Sequence, residues 1–287
     1  MSPGPSRSTS VTLYAAVAGR YEIEAKLAKG GMGSVYRVRD LTSGETLALK
    51  RVQSRARTAS ALFEREYQTL QSLKHPRIIE VYEYGVEAEG AYYTMELLLG
   101  SDLHELAPVP YATACAYLRD IASSLALLHA RRLLHRDLSP RNVRVTKDGR
   151  CKLIDFGALM SFGVASDLVG TAPCVPPEAI RGAPLDQRSD LYSLGATAYY
   201  LLTGRHAYAA TSFQDLGRLW QRPPFAPSVL ASSIPPALDE LVLSLLRQDP
   251  LARPASAAEV IDRLTPYGIT TTTIVLSSPV RRRVIEV

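Results

Sequence analysis

Two periodicities divide the chain. From Tyr21 onward apolar positions recur at every second residue. Tyr21, Ile23, Ala25 and Leu27 alternate with charged or polar side chains, as on a half-buried strand. A glycine cluster follows at Gly30-Gly31-Met32-Gly33. Then come Ser34-Val35-Tyr36-Arg37-Val38, a turn at Thr42-Ser43-Gly44, and a third strand-like run from Thr46 to Val52. That order predicts an antiparallel meander. Over residues 60–73 the period becomes helical, with Leu62, Glu66, Leu70 and Leu73 on one face. Two more strand-like runs follow, Ile78 to Tyr84 and Ala91 to Leu97. Beyond Pro110 the pattern is mostly helical, for example Thr113 to His129 and Ser189 to Leu202. Strands first and helices afterwards predict an α+β arrangement of two lobes.

Composition narrows the class. With 287 residues, 46% hydrophobic and 21% charged, the chain suits a globular protein rather than a disordered or fibrous one. No stretch of 18 apolar residues without a charge occurs, so no membrane span is expected. The first residues, Met1-Ser-Pro-Gly-Pro-Ser-Arg, lack the apolar core of a secretory signal. The three cysteines, Cys115, Cys151 and Cys174, are odd in number and widely spaced. They argue against a disulfide framework or a zinc site, and a cytoplasmic location is expected. The net charge of +5 permits contact with phosphates or nucleic acid, but the basic residues are scattered. Their one tight cluster is Arg281-Arg282-Arg283, so no specific nucleic-acid partner is expected. Residues 1–18 read as a flexible tail, and 268–287 as a basic tail or linker, which could be a truncated juxtamembrane linker.

Three constellations carry chemistry. Glycines between two strands let backbone N–H groups approach a phosphate. Lys50 and Glu66 are each a charge on an apolar face. A buried charge needs a partner, so they are expected to pair, although an ordinary structural ion pair would look the same. Third, Val143-Arg144-Val145 and Cys151-Lys152-Leu153-Ile154 flank an Asp148-Gly149 hairpin signal. A two-residue loop there sets Lys147 opposite Arg150 and Asn142 opposite Asp155. An amide oxygen and a carboxylate so placed could hold Mg²⁺, with Asp137 nearby as a second carboxylate. Gly157, two residues after Asp155, permits a sharp turn.

In order along the chain these elements resemble a eukaryotic-type (Hanks-type) protein kinase in the style of bacterial Ser/Thr kinases. The resemblance covers about residues 21–265. It rests on Gly30-Gly31-Met32-Gly33-Ser34-Val35, Ala48-Leu49-Lys50, Phe63-x-x-Glu66 and His75-Pro76. It continues through His135-Arg136-Asp137-Leu138-Ser139-Pro140-Arg141-Asn142, Asp155-Phe156-Gly157 and Pro176-Pro177-Glu178. Ser189-Asp190-Leu191-Tyr192-Ser193-Leu194-Gly195 and Asp249-Pro250-x-x-Arg253-Pro254 complete the set.

The resemblance implies a bilobal kinase fold over 19–267. Residues 19–97 would form a small antiparallel sheet lobe with one helix, and 98–267 a larger, mainly helical lobe. It implies that Lys50 contacts ATP phosphates and Glu66 holds it, that Asp137 orients the substrate hydroxyl, and that Asn142 and Asp155 bind Mg²⁺ or Mn²⁺. Ala28, Gly30, Gly31, Gly33, Val35, Ala48, Met95, Glu96 and Leu98 would line the nucleotide. Glu178 and Arg253 would staple the larger lobe, Asp190 would hold the catalytic loop, and Thr171 would contact Asp137. The expected partners are ATP and protein substrates phosphorylated on Ser or Thr. Two positions depart from the pattern. Ala28 stands where a glycine is usual, and Ser139 replaces a lysine, for which Arg141 could substitute. These two favour the alternative, a pseudokinase scaffold that binds nucleotide or partners; retention of Lys50, Glu66, Asp137, Asn142 and Asp155 favours the active enzyme. Ser161 or Ser166, in the 155–178 segment ahead of Glu178, is the expected site of autophosphorylation, with a possible dimer doing the work and Arg136 as the pairing cation. Thr270 to Thr273 are further candidates.

Overall fold

The computed structural model describes residues 16–29, 33–52 and 57–267. Gly30, Gly31, residues 1–15, the 268–287 tail and its threonines lie outside them. The chain divides into two compact units. One comprises 1–74 with 79–98, the other 75–78 with 99–287. The border therefore differs from a single cut after residue 97. His75 to Ile78 belong with the second unit because Arg77 O accepts from Leu153 N (2.9 Å) and from Ser124 Oγ (2.8 Å).

In the first unit, β1 (Tyr21–Lys29), β2 (Gly33–Asp40), β3 (Thr46–Val52), β4 (Val81–Glu87) and β5 (Gly90–Met95) form one antiparallel sheet in the order β1-β2-β3-β5-β4. Strand alternation sends Leu49 to one face, into a core with Val17, Tyr21, Val38 and Tyr92. Ala48, Lys50 and Val52 alternate with it. The helix α1 (Arg57–Ser72) packs against β3, β4 and β5. Its buried face is Phe63, Glu66, Tyr67 and Leu70, and Leu62 is 58% exposed. The apolar period is helical, as expected, but Phe63 rather than Leu62 turns inward. Its ring lies 4.9 Å from that of Tyr93 on β5, so the aromatic, with more surface to bury, takes the core position.

The second unit is mainly helical. Its elements are α2 (Leu103–Leu106), α3 (Tyr111–Ala130), β6 (Leu133–Leu134), β7 (Val143–Val145), β8 (Cys151–Leu153) and β9 (Met160–Ser161). They continue with α4 (Pro177–Ile180), α5 (Gln187–Thr203), α6 (Phe213–Leu219), α7 (Pro227–Leu230), α8 (Pro236–Leu245) and α9 (Ala257–Leu264). The helix α5 is buried nearly all round, polar Ser189, Asp190, Ser193 and Thr197 included, and packs against α3 and α8. Asp186 caps its start, accepting from Arg188 N at 2.8 Å. All three cysteines are free and buried in this unit. Burial pushes the thiols of Cys115 and Cys174 up to about 12, which removes them as nucleophiles at neutral pH.

One register differs from expectation. In the β7–β8 hairpin Val143 pairs with Leu153, Arg144 with Lys152 and Val145 with Cys151. The loop holds three residues, Lys147-Asp148-Gly149, closed by Thr146 N to Arg150 O at 2.7 Å and Gly149 N to Thr146 O at 2.9 Å. Gly149 is left-handed, with φ of +74°, as the closing residue of such a turn must be. The Thr146 hydroxyl bonds the Asp148 side chain and favours this loop over the two-residue turn. The register slips by one, and Asn142 faces Ile154 instead of Asp155. Ile154 N donates to Asn142 O at 2.9 Å.

Candidate functional site

The first unit presents an ion pair. Lys50 Nζ donates to Glu66 Oε1 at 2.7 Å, and the Tyr93 hydroxyl donates to the same oxygen at 3.0 Å. Both charged residues are buried, at 8% and 4% exposure. A strand and a helix that pack for apolar reasons thus carry the opposite charges to each other, and the Tyr93 donor helps replace lost water. Cross-strand register places Val35 beside both Ala28 and Lys50, and Ala48 beside Met95. Gly33 has a packing reason of its own. A Cβ there would lie 2.2 Å from the Arg51 carbonyl oxygen on β3. Glu96 N donates to Glu80 O at 3.0 Å, and Glu96 Oε1 accepts from Glu80 N at 2.8 Å, which fixes the chain leading to Leu98.

The second unit presents a carboxylate held by two donors. Asp137 Oδ2 accepts from Asn142 Nδ2 at 3.0 Å, and Asp137 Oδ1 accepts from Thr171 Oγ1 at 2.9 Å. Asn142 Nδ2 also reaches the Asp137 carbonyl at 2.7 Å. With its amide nitrogen so engaged, Asn142 has its side-chain oxygen directed elsewhere. Asp155 is exposed and left-handed, with φ of +58°, just past the hairpin end. The next residue, Phe156, is buried edge-on against His135 at 4.8 Å. A buried aromatic followed by Gly157 explains how so strained a backbone is held. An amide oxygen and a carboxylate are hard donors of the kind Mg²⁺ takes alongside water and phosphate, and Asn142 and the residue before Asp155 are joined by the Ile154 N to Asn142 O bond. Among the described residues no group of three or more His, Cys, Asp and Glu side chains is arranged to hold a metal by itself.

Behind Asp137 stands Asp190, near the start of α5. It accepts from His135 N and Arg136 N, each at 3.0 Å, and from His129 Nε2 at 3.0 Å. Burial alone would raise this carboxyl. The hydrogen bond from His129, the charges of His129 and His135 and the Arg136 N–H hold it below the usual carboxylate range. Ser139 is buried, and its hydroxyl has no hydrogen-bond partner among the described residues. Arg141 is exposed on the turn that carries Asn142. The Glu178–Arg253 pair is buried and bidentate at 2.6 and 2.8 Å. Sequence reasoning missed Asp120, which anchors the hairpin by accepting from Cys151 N at 2.9 Å and from Arg150. It also missed Asp167, which meets Arg136. Asp120 had a signal, an acidic residue on the buried face of α3.

A protein kinase domain family model matches residues 21–264. The serine/threonine-protein kinase PknL of Mycobacterium tuberculosis is 34% identical over 252 residues, covering 83% of this chain and 63% of that protein. The probable serine/threonine-protein kinase SCO3848 of Streptomyces coelicolor is 35% identical over 266 residues, 84% of this chain and 39% of that protein. The serine/threonine-protein kinase PknB of Mycolicibacterium smegmatis is 33% identical over 265 residues, 84% and 42% respectively. The chain thus spans less than two thirds of each of these relatives.

Proposed function

The chain belongs to the protein kinase domain family, and from that premise we propose that it transfers the γ-phosphate of ATP to serine and threonine hydroxyls of proteins. The observation that carries this reading is the Asp137 carboxylate, held at one oxygen by Asn142 and at the other by Thr171. Each oxygen keeps a second lone pair for a substrate hydroxyl. Asp137 orients that hydroxyl and takes its proton. Lys50, steadied by Glu66, neutralises phosphate charge. Transfer through a loose transition state needs this kind of positioning and charge compensation more than covalent chemistry. Ala28, Gly30, Gly31, Gly33, Val35, Ala48, Met95, Glu96 and Leu98 line the nucleotide in this reading. Asn142 and Asp155 would hold Mg²⁺ or Mn²⁺, which when bound draws charge from the phosphate oxygens. With Ser139 in place of a lysine, Arg141 supplies the cation near the transferred group. A dimer is the arrangement in which one copy phosphorylates another. No helix among the described residues is long and apolar enough to cross a membrane.

The test is transfer of labelled phosphate from Mg-ATP to a protein acceptor. Wild type is expected to label serine and threonine, and EDTA to stop it. Lys50→Met should lower the rate by about 10²–10³-fold, as the loss of one preorganised charge does elsewhere. Absence of magnesium-dependent nucleotide binding by calorimetry would end the reading.

A further inference from the structure

The arginine that precedes Asp137 already carries an anion. Arg136 Nη2 donates to the Asp167 carbonyl at 2.6 Å and to Asp167 Oδ1 at 2.8 Å. The Arg136 side chain is only 10% exposed, so its charge is largely out of water and requires a partner. Its backbone is fixed as well. The N–H is bound by Asp190, and φ is +67°, a conformation that costs a residue with a Cβ. Asp167 lies four residues before Thr171, whose hydroxyl meets Asp137. The segment is therefore tied to the loop at two points, through Asp167 to Arg136 and through Thr171 to Asp137.

Charge decides what this anchor can accept. Residues 155–178 contain no Lys, Arg or His. A small cleft beside the contact is lined by Arg136, Asp167, Leu168, Ala179, Leu185 and Asp190. It holds one cation and two carboxylates. A phosphoryl group on exposed Ser161 or Ser166 brings a charge of about −1.5 to −2. It would meet a guanidinium already matched and two like charges. A single carboxylate balances the site.

We propose that Asp167 is a positioning residue for phosphate transfer. Its carboxylate anchors the segment on Arg136 and so sets Thr171 and Asp137 without phosphorylation of that segment. The inference rests on the kinase reading above. Phosphorylation of Ser161 or Ser166, where it occurs, then leaves the rate unchanged.

The experiment compares the full chain in phosphate-free form, co-expressed with a phosphatase and checked by mass spectrometry, with the autophosphorylated form. Asp167→Asn and Asp167→Glu variants are added, and amide exchange is measured over residues 158–171. Phosphate-free wild type is expected to start without a lag, within twofold of the phosphorylated rate. Asp167→Asn keeps the shape and the carbonyl contact but loses the charge. Its kcat should fall about tenfold, the loss of one charge-assisted hydrogen bond, with KM for ATP within twofold. Exchange over the segment should quicken, and Asp167→Glu should restore most of both. A lag that ends on phosphorylation, or an Asp167→Asn variant with wild-type kcat, would overturn the proposal. Should no form transfer phosphate, the kinase reading fails on its own. Amide exchange then still decides the anchor, and equal exchange in wild type and Asp167→Asn removes it.

Discussion

Asp137→Asn is expected to lower phosphate transfer from Mg-ATP by about 10²–10⁴-fold, the range for loss of a positioned proton acceptor. Both neighbours of the carboxylate are donors here: the Asn142 amide nitrogen at one oxygen and the Thr171 hydroxyl at the other. Replacing one oxygen by an NH₂ group sets donor against donor, at 2.9 or 3.0 Å, whichever way the amide turns. The hydroxyl of Thr171 can rotate to accept instead, whereas the Asn142 amide nitrogen cannot. The variant therefore should settle with its nitrogen toward Thr171 and its oxygen toward Asn142. It loses the negative charge and keeps the fold. Steady-state assays with a protein acceptor check this, alongside circular dichroism and nucleotide titration. Equal phosphate incorporation by wild type and Asp137→Asn would remove Asp137 from the chemistry.

How much of this could be read from the chain alone depends on the distance over which each feature is decided. The α+β class follows from periodicity, and the structure has that class. The pairing of Lys50 with Glu66 was legible because each charge interrupts an apolar face, and local period alone identifies such a residue. The end face of α1 was less so. Leu62 and Phe63 fit the helical period equally well, and only the rings of Tyr93 and Tyr84 across the interface select Phe63. The hairpin register turned on one hydroxyl. Asp148-Gly149 favours a two-residue loop, but the Thr146 side chain bonds Asp148 and also reaches the Arg150 carbonyl at 2.9 Å. Asn142 and Asp155 thereby lose the cross-strand pairing expected of them, although Asp155 stays next to the pair that Asn142 makes with Ile154. The Asp167–Arg136 contact was out of reach. It joins residues 31 apart through a segment of irregular backbone, where no period constrains a side chain's direction.

The larger unit's stability should hinge on Glu178 and Arg253. Glu178 Oε1 accepts from Arg253 Nη1 at 2.6 Å and from Ser189 Oγ at 2.9 Å, and Oε2 accepts from Arg253 Nη2 at 2.8 Å. Arg253 also donates to the carbonyls of Arg247, Arg188 and Gln248 and lies over the Tyr192 ring at 4.9 Å. One guanidinium thus joins the start of α5, the end of α8 and the loop before α9 to α4. Both residues are buried, so neither charge has water to return to if its partner is removed. Arg253→Met should therefore cost about 3–5 kcal/mol, the usual penalty for breaking a buried pair from one side. In a protein of this size that is a fall in Tm of roughly 5–8 °C. The double variant Glu178→Leu, Arg253→Met removes the stranded carboxylate and should recover part of the loss. Recovery stays incomplete because three backbone carbonyls still lack the donor they had. Transfer activity measured well below the lowered Tm should be largely retained, which separates this staple from Asp137. Denaturant titration decides it: a single variant that loses less than about 1 kcal/mol, the scale of an exposed pair, would mean that the contact is not desolvated as described.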